Sequence, residues 1–243
     1  MFDEIEAESF VNQMPLTSLS SFISKLHPKS HILDMGCGNG LPVSKLLSDH
    51  SFQVLGIDIS ESFLQAARNN VPNASFLHLD FTIEHNLLLL SGKGFSGIVC
   101  SYSLMQMNQT CFVSTLKCIH SMLSIGGYFL YISTYSPKTT DFKKVVFYGV
   151  EGYATFYSFK DSLAFLQMAG FEIVETSVDG AHAFSSVICR KRAKGELMST
   201  DPCSYRSLLL CFVTSSSALV LGSQVCWGEG GAWLLGSCGK ERS

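Results

Sequence analysis

Charge is scarce in this chain: Asp, Glu, Lys and Arg make up only 15% of it, and 17 basic against 20 acidic side chains leave a net charge of -3. A balance that small gives no electrostatic pull toward nucleic acid or anionic lipid, so polyanions are not the expected partners. No basic stretch followed by an apolar core opens the sequence. The start, MFDEIEAESF, is acidic and does not read as a secretory signal, which by default places the protein in the cytoplasm. The nine cysteines show no CxxC or Cys/His ligand spacing. In a reducing compartment such cysteines are expected as free thiols, so neither a disulfide nor a metal is assigned.

What the chain does have is apolar material, 47% of 243 residues, enough for a sizeable core without crosslinks. Its distribution is uneven. From about Lys194 the helix and strand periodicity disappears and the composition turns to Ser, Leu, Cys, Gly and Trp, with Cys203, Cys211, Cys226 and Cys238 all in this stretch. The reading divides the chain into an N-terminal cap helix region (1–30), a main domain (31–190) and a compositionally foreign, poorly ordered tail (191–243). Residues 207–228 carry no charge, and a membrane anchor there is the alternative. Half of that stretch is Ser, Thr, Gln, Gly and Cys, so no membrane association is expected.

Between residues 30 and 190, apolar runs alternate with amphipathic stretches. HILDMG (31–36), QVLGID (53–58), SFLHLD (75–80), FSGIVCSY (95–102) and YFLYIST (128–134) read as strands. Helices are expected over 40–48, 61–69 with Ser60 as N-cap, 84–90, and 109–123. Strands alternating with helices make a parallel sheet covered on both faces. A polar connection from 136 to 157 follows, then a helix over 160–170 and strands 171–178 and 183–190 joined by the hairpin signal Asp179-Gly180. The expected fold is an α/β three-layer sandwich, Rossmann-like, whose mostly parallel seven-stranded sheet ends in an antiparallel hairpin strand. LTSLSSFISKL (16–26) reads as a helix covering the sheet or the site.

In such a sheet, ligands bind beyond the C-terminal strand ends, and the first strand-to-helix turn is where glycines admit a cofactor to the backbone. Gly36, Gly38 and Gly40 lie there as GxGxG, unlike the GxGxxG that seats a pyrophosphate on a helix N-terminus. Asp34 suits a positively charged amino-acid moiety. Asp58 ends the second strand, where a carboxylate can accept both hydroxyl hydrogens of an unphosphorylated ribose. Asp80 and Phe81 end the third, offering a polar edge and a flat face to adenine. A nicotinamide-dependent oxidoreductase shares the fold and Asp58, but the glycine spacing and Asp34 argue against it.

LDMGCGNG, VLGIDIS, FLHLDFT, LSIGGYFLYIS and MAGFEIVE resemble the class I S-adenosylmethionine-dependent methyltransferases, in particular the type 11 and type 25 small-molecule group, over about residues 1–190. The resemblance implies an enzyme that methylates a small molecule by in-line displacement. It implies that Gly36, Cys37, Gly38 and Gly40 pack against the methionine part and ribose, Asp58 holds the ribose, Ile59 covers adenine, Asp80 and Phe81 bind its edge, and Cys100 and Ser101 face the sulfonium. The chain departs from the family at Ser96 and Gly97, where an Asp usually follows the Phe of the fourth strand, and at Ile125, where Pro is common.

Methyl transfer needs alignment and a dry pocket more than a particular catalytic group. No catalytic residue is assigned. Acceptor contacts are expected from Tyr102 and Gln106 after the fourth strand, with Met107 nearby, and from Tyr148, Tyr153 and Phe156 in the long connection, beside Tyr157. His182 at the hairpin is a weaker candidate base, as are His50, His78 and His85. A catalytically inactive protein that keeps the fold as a binding or scaffold module is the alternative function.

Overall fold

The computed structural model describes residues 16–147, 150–179 and 184–193, all within the first of two compact units, Met1–Leu197. The remainder of the tail, including 207–228, and the candidates Tyr148 and His182 lie outside the described residues.

Strands β1 (His31–Met35), β2 (Gln53–Asp58), β3 (Ser75–His78), β4 (Phe95–Ser101) and β5 (Leu123–Thr134) run parallel, while β8 (Phe171–Asp179) and β9 (Phe184–Lys191) close the sheet as an antiparallel pair. The order across it is β3-β2-β1-β4-β5-β9-β8, the expected seven-stranded sheet with β9 antiparallel to β5. Reversal of order between β1 and β4 leaves a crevice at the C-terminal strand ends, where such sheets bind ligands.

Six helices accompany the sheet among the described residues: α1 (Leu16–Ser24), α2 (Val43–Asp49), α3 (Glu61–Asn70), α4 (Glu84–Leu88), α5 (Gln109–Met122) and α6 (Phe159–Met168). Their starts follow local chemistry, since a side-chain oxygen at the N-cap satisfies a backbone N–H that the helix cannot. Ser60 accepts from the Phe63 amide, Asn108 from that of Cys111 and Ser158 from that of Asp161. α2 begins at Val43, three residues later than its sequence pattern, because the glycine loop continues through the turn at Gly40, Leu41 and Pro42.

Two points differ from the sequence reading. The connection after β5 is not merely polar coil but carries a separate two-stranded ribbon, β6 (Lys143–Phe147) paired with β7 (Val150–Ala154). β5 also starts earlier, at Leu123, with an irregularity where Phe95 pairs with Leu123 but Gly97 with Tyr128; Gly126, at φ 80°, takes up the extra residues.

Apolar residues fill both sides of the sheet. One core joins Leu33, Met35, Ile57, Phe129 and Tyr131 to α5 and α6, and the other joins Ile32, Val54, Val99, Leu130 and Ile188 to α1 and α2. α1 covers the sheet: Leu19 and Phe22 are fully buried, and the Ser18 hydroxyl bonds that of Ser186 at 2.7 Å. This explains the departure at Gly97. A Cβ there would stand 2.7 Å from Phe22 Cζ and 2.9 Å from Ile32 Cδ1, both enclosed, so the missing side chain is what lets α1 lie flat. Gly97→Ala is expected to cost about 1 to 3 kcal/mol through overpacking, read as a lower urea midpoint at unchanged slope.

Candidate cofactor site

The glycine loop leaves β1 under backbone control. The amides of Gly36 and Cys37 both donate to the Ile57 carbonyl, at 2.8 and 3.0 Å, and thereby turn the chain over the end of β2. Gly36, Gly38 and Gly40 have φ of 72°, 53° and 80°, a region where L side chains are strained. Sterics separate their roles. At Gly36 a Cβ would meet Ser103 Cβ at 2.5 Å, whereas at Gly38 it would meet nothing within 4 Å. Gly36 is thus a close-packing position, and Gly38 borders open space.

Asp58 joins that loop to the next. Its Oδ2 accepts the Gly38 amide at 2.9 Å and its Oδ1 accepts the Ser60 amide at 2.9 Å, so one carboxylate braces the turns after β1 and β2. Each oxygen keeps a further lone pair, and the side chain is half-buried, not sealed. Next to it, Ile59 is 61% exposed, a large aliphatic surface for a residue at a strand end. A cleft of about 340 Å³ opens between Ile59, Leu77, Asp80, Asn86 and Leu89. Asp80 itself is half-buried, and its Oδ1 accepts the Thr82 amide at 2.9 Å and the Thr82 hydroxyl at 2.6 Å, which rigidifies the turn after β3.

Other expected contacts are placed further from the surface. Asp34 is 1% exposed and takes the Ser44 hydroxyl of α2 at 2.6 Å. Its carboxylate has no surface to offer an ammonium group and instead pins α2 beneath the loop. Burial pushes its pKa up to about 7, assisted by the charge of Asp58 and opposed by the Ser44 hydrogen bond. Cys37 is buried with its sulfur toward Gly56, so only its backbone remains on the loop surface. Phe81 is buried in the core under Gly36. Cys100 is fully buried, its thiol 2.9 Å from the Ser103 hydroxyl, and Ser103 in turn donates to the Met35 carbonyl at 2.8 Å. Ser101 stays half-buried at the end of β4. These burials set Asp34, Phe81 and Cys100 as supports of the loop in this conformation, because a side chain without accessible surface cannot touch a ligand before something moves.

Beyond β4, Tyr102 adopts φ 56°, uncommon for a bulky residue, while its amide donates to the Ile132 carbonyl at 2.9 Å. Burial pushes its phenol up to about 12. Gln106 is exposed. The ribbon docks here through the Thr155 amide, which donates to the Met105 carbonyl at 2.8 Å. Tyr157 anchors it: its ring stacks on Phe112 at 4.3 Å and its hydroxyl donates to the Met107 carbonyl at 3.1 Å. Tyr153, 55% exposed, stacks on Phe142 at 5.4 Å, and Phe156 lies under the Lys143 ammonium at 5.6 Å. His50 bonds the Leu46 carbonyl of its own turn, and His78, at the end of β3, bonds the Ile59 carbonyl after β2; both are exposed.

The sequence reading had no way to find Ser44 or Ser103, whose partners lie 10 and 68 positions away. Among the described residues Cys37, Cys100, Cys111, Cys118 and Cys189 are free thiols, no cluster has the makeup of a metal site, and no helix is long and apolar enough to cross a membrane.

The residues at the strand ends fit an adenosyl cofactor. Open space borders Gly38, an acidic acceptor with spare lone pairs at the end of β2 is bonded to that loop, and an exposed aliphatic face stands next to it. Comparison with known proteins agrees. The methyltransferase domain family matches residues 32–127. An uncharacterized methyltransferase of Synechocystis sp. is 26% identical over 174 residues, 70% of this chain and 77% of that one. A trans-aconitate 2-methyltransferase of Acidovorax sp. is 33% identical over 81 residues, and there the chain spans only 30% of the relative's length. In fold, the chain is similar to the 1,6-didemethyltoxoflavin-N1-methyltransferase of Burkholderia thailandensis, solved with its substrate and S-adenosylhomocysteine. That likeness has a TM-score of 0.59 at 17% identity and covers 74% of this chain and 78% of that one. Residues 32–127 of the chain thus match the methyltransferase domain family, and its strand order and glycine loop give it the fold of solved S-adenosylmethionine-dependent methyltransferases.

Proposed function

We propose that the protein transfers the methyl group of S-adenosylmethionine to a small-molecule acceptor. The observation that carries this reading is the half-buried Asp58 carboxylate, bonded to the Gly38 and Ser60 amides with a lone pair left on each oxygen, next to Ile59, which lines the cleft. In this reading Gly36, Cys37, Gly38 and Gly40 offer backbone to the methionine part and ribose. Asp58 holds the ribose hydroxyls, Ile59 lies on one adenine face, and Asp80 binds its edge. Asp34, Phe81 and Cys100 keep that surface in shape from below, and Ser101 faces the reacting end. S-adenosylmethionine, when bound, supplies an activated methyl group on a cationic sulfur. The chain's own part is to align the acceptor and exclude water. The trans-aconitate and didemethyltoxoflavin enzymes, by their names, act on small molecules, which supports an acceptor of that class.

The acceptor wall is assigned to Tyr102 and Gln106 after β4 and to Tyr153 and Phe156 of the ribbon and its C-terminal flank; Tyr148, outside the described residues, is carried over from the sequence alone. Replacing Tyr153 and Phe156 together by Ala is expected to lower acceptor turnover and leave cofactor affinity unchanged; an equal loss of both would remove the ribbon from the acceptor site. The activity itself is tested with cofactor labelled in the methyl group and fractionated metabolite extracts, alongside calorimetry with S-adenosylhomocysteine. Cofactor uptake without transfer to any fraction would favour a binding or scaffold role.

A further inference from the structure

The ribbon carries a cation with an unusual placement. Antiparallel pairing puts Lys143 opposite Ala154 and Val145 opposite Gly152, so these four share one face, while Lys144, Glu151 and Tyr153 occupy the other. On the first face Ala154 is fully buried against the domain while Lys143 is exposed. On the second face charge is neutralised: Lys144 meets Glu151 at 2.7 Å. Lys143 has no carboxylate within 4 Å among the described residues; its ammonium is held over the Phe156 ring instead. A cation so held loses little further side-chain freedom when it meets an anion. Beside it, a Cβ on Gly152 would meet nothing within 4 Å, so the face has room. One residue from Phe156, Thr155 bonds Met105 in the turn that follows β4. The charge of Lys143, paired with Ala154 next to Thr155, therefore stands on the side of the turn after β4, where the acceptor wall is assigned.

We propose that the acceptor is a small carboxylate, recognised by Lys143 with Phe156 as its apolar floor, and that the carboxylate oxygen is the atom methylated. This rests on the methyltransferase reading above and narrows it. The chemistry is balanced without a base. A carboxylate oxygen forms the bond to the methyl carbon as the carbon–sulfur bond breaks, the electron pair stays on sulfur, and the products are a methyl ester and a neutral thioether. No proton is released. That suits the end of β4 and the residue after it, where the thiol and the phenol stay protonated at neutral pH: burial pushes the Cys100 thiol and the Tyr102 phenol each up to about 12. Opposite charges merge in the reaction, so an enclosed apolar site accelerates it. Lys143 grips the anion most strongly before its charge disperses, which places its effect on KM more than on kcat.

The test is saturation-transfer NMR on the full chain loaded with S-adenosylhomocysteine, against a panel of aromatic and aliphatic carboxylates, each paired with its carboxamide. Acids are expected to bind and amides not. Lys143→Met should weaken the best acid about tenfold or more, the effect of losing a charged hydrogen bond, and Lys143→Arg should retain it. In turnover of that acid, Lys143→Met should raise KM with little change in kcat. Amides binding as well as acids, no acid binding at all, or equal binding by Lys143→Met would overturn the carboxylate assignment while cofactor uptake persists. Failure of S-adenosylhomocysteine itself to bind would instead overturn the underlying reading.

Discussion

Asp58→Ala is expected to weaken S-adenosylhomocysteine binding by about 1.5 to 3 kcal/mol, roughly tenfold to a hundredfold in Kd, the range for hydrogen bonds to a charged group. Two effects combine in that loss. In the proposed site ribose hydroxyls lose their acceptor, and the Gly38 and Ser60 amides, each 2.9 Å from the carboxylate, lose the group that holds their turns together. Asp58→Asn separates the two. An amide oxygen can still take one of the backbone N–H groups, but its NH₂ cannot accept from the other or from ribose. The Asn variant, which keeps one of the two loop bonds, should therefore lose less stability in urea than the Ala variant and still bind weakly by calorimetry. Full affinity in both variants would rule out the ribose assignment, and full affinity in Asn alone would reduce Asp58 to a brace of the loops.

For Asp34→Asn, the expectation is a change in how stability depends on pH. Burial raises the Asp34 pKa from the usual carboxylate value of 3.8 to about 7 in the folded chain. Between those values the folded state holds a proton that the unfolded chain has released. Stability attributable to this group is thus complete below about pH 4 and declines as pH rises to about 7, the reverse of an ion-paired carboxylate. Asn cannot ionise. Its stability relative to the parent should climb by about 4 kcal/mol between pH 4 and pH 8, since the shift is about three pKa units. The Asn side chain keeps an acceptor for the Ser44 hydroxyl but brings a buried NH₂, so the variant starts lower than the parent at acid pH by about 1 to 3 kcal/mol. The difference across pH is free of that offset. Urea unfolding of both chains at a series of pH values measures it, and parallel curves would mean that Asp34 ionises at its ordinary pKa.

Much of this architecture was legible in the sequence because its causes are local or periodic. Five apolar runs, three of them ending in Gly or Asp, alternate with amphipathic stretches, Ser60 precedes one of these, and Asp179-Gly180 separates two strand patterns; each translates into an element by short-range rules. Their spacing then implied the parallel order and the closing antiparallel strand. The ribbon of β6 and β7 escaped notice because its strands are only five residues each and mix charged, small and aromatic residues without clear alternation. Gly97 read as a departure from the family, and only the packing of Phe22 from α1, 75 positions away, gives it a purpose.

Within the site the same division holds. The GxGxG loop and the carboxylates at three strand ends are determined by sequence alone, because an open parallel sheet brings every strand's C-terminal end to one edge whatever the side chains do there. Which carboxylate meets a ligand is not so determined. Asp34, Asp58 and Asp80 look alike along the chain, and burial separates them: the first is enclosed under Ser44, the second joins two loops at the surface, and the third orders its own turn. Side-chain direction relative to neighbouring elements decides this, and that depends on contacts between residues far apart in sequence. The proposed cofactor rests on the chain's motif, and the placing of the three carboxylates, one enclosed and two half-buried, follows from the fold.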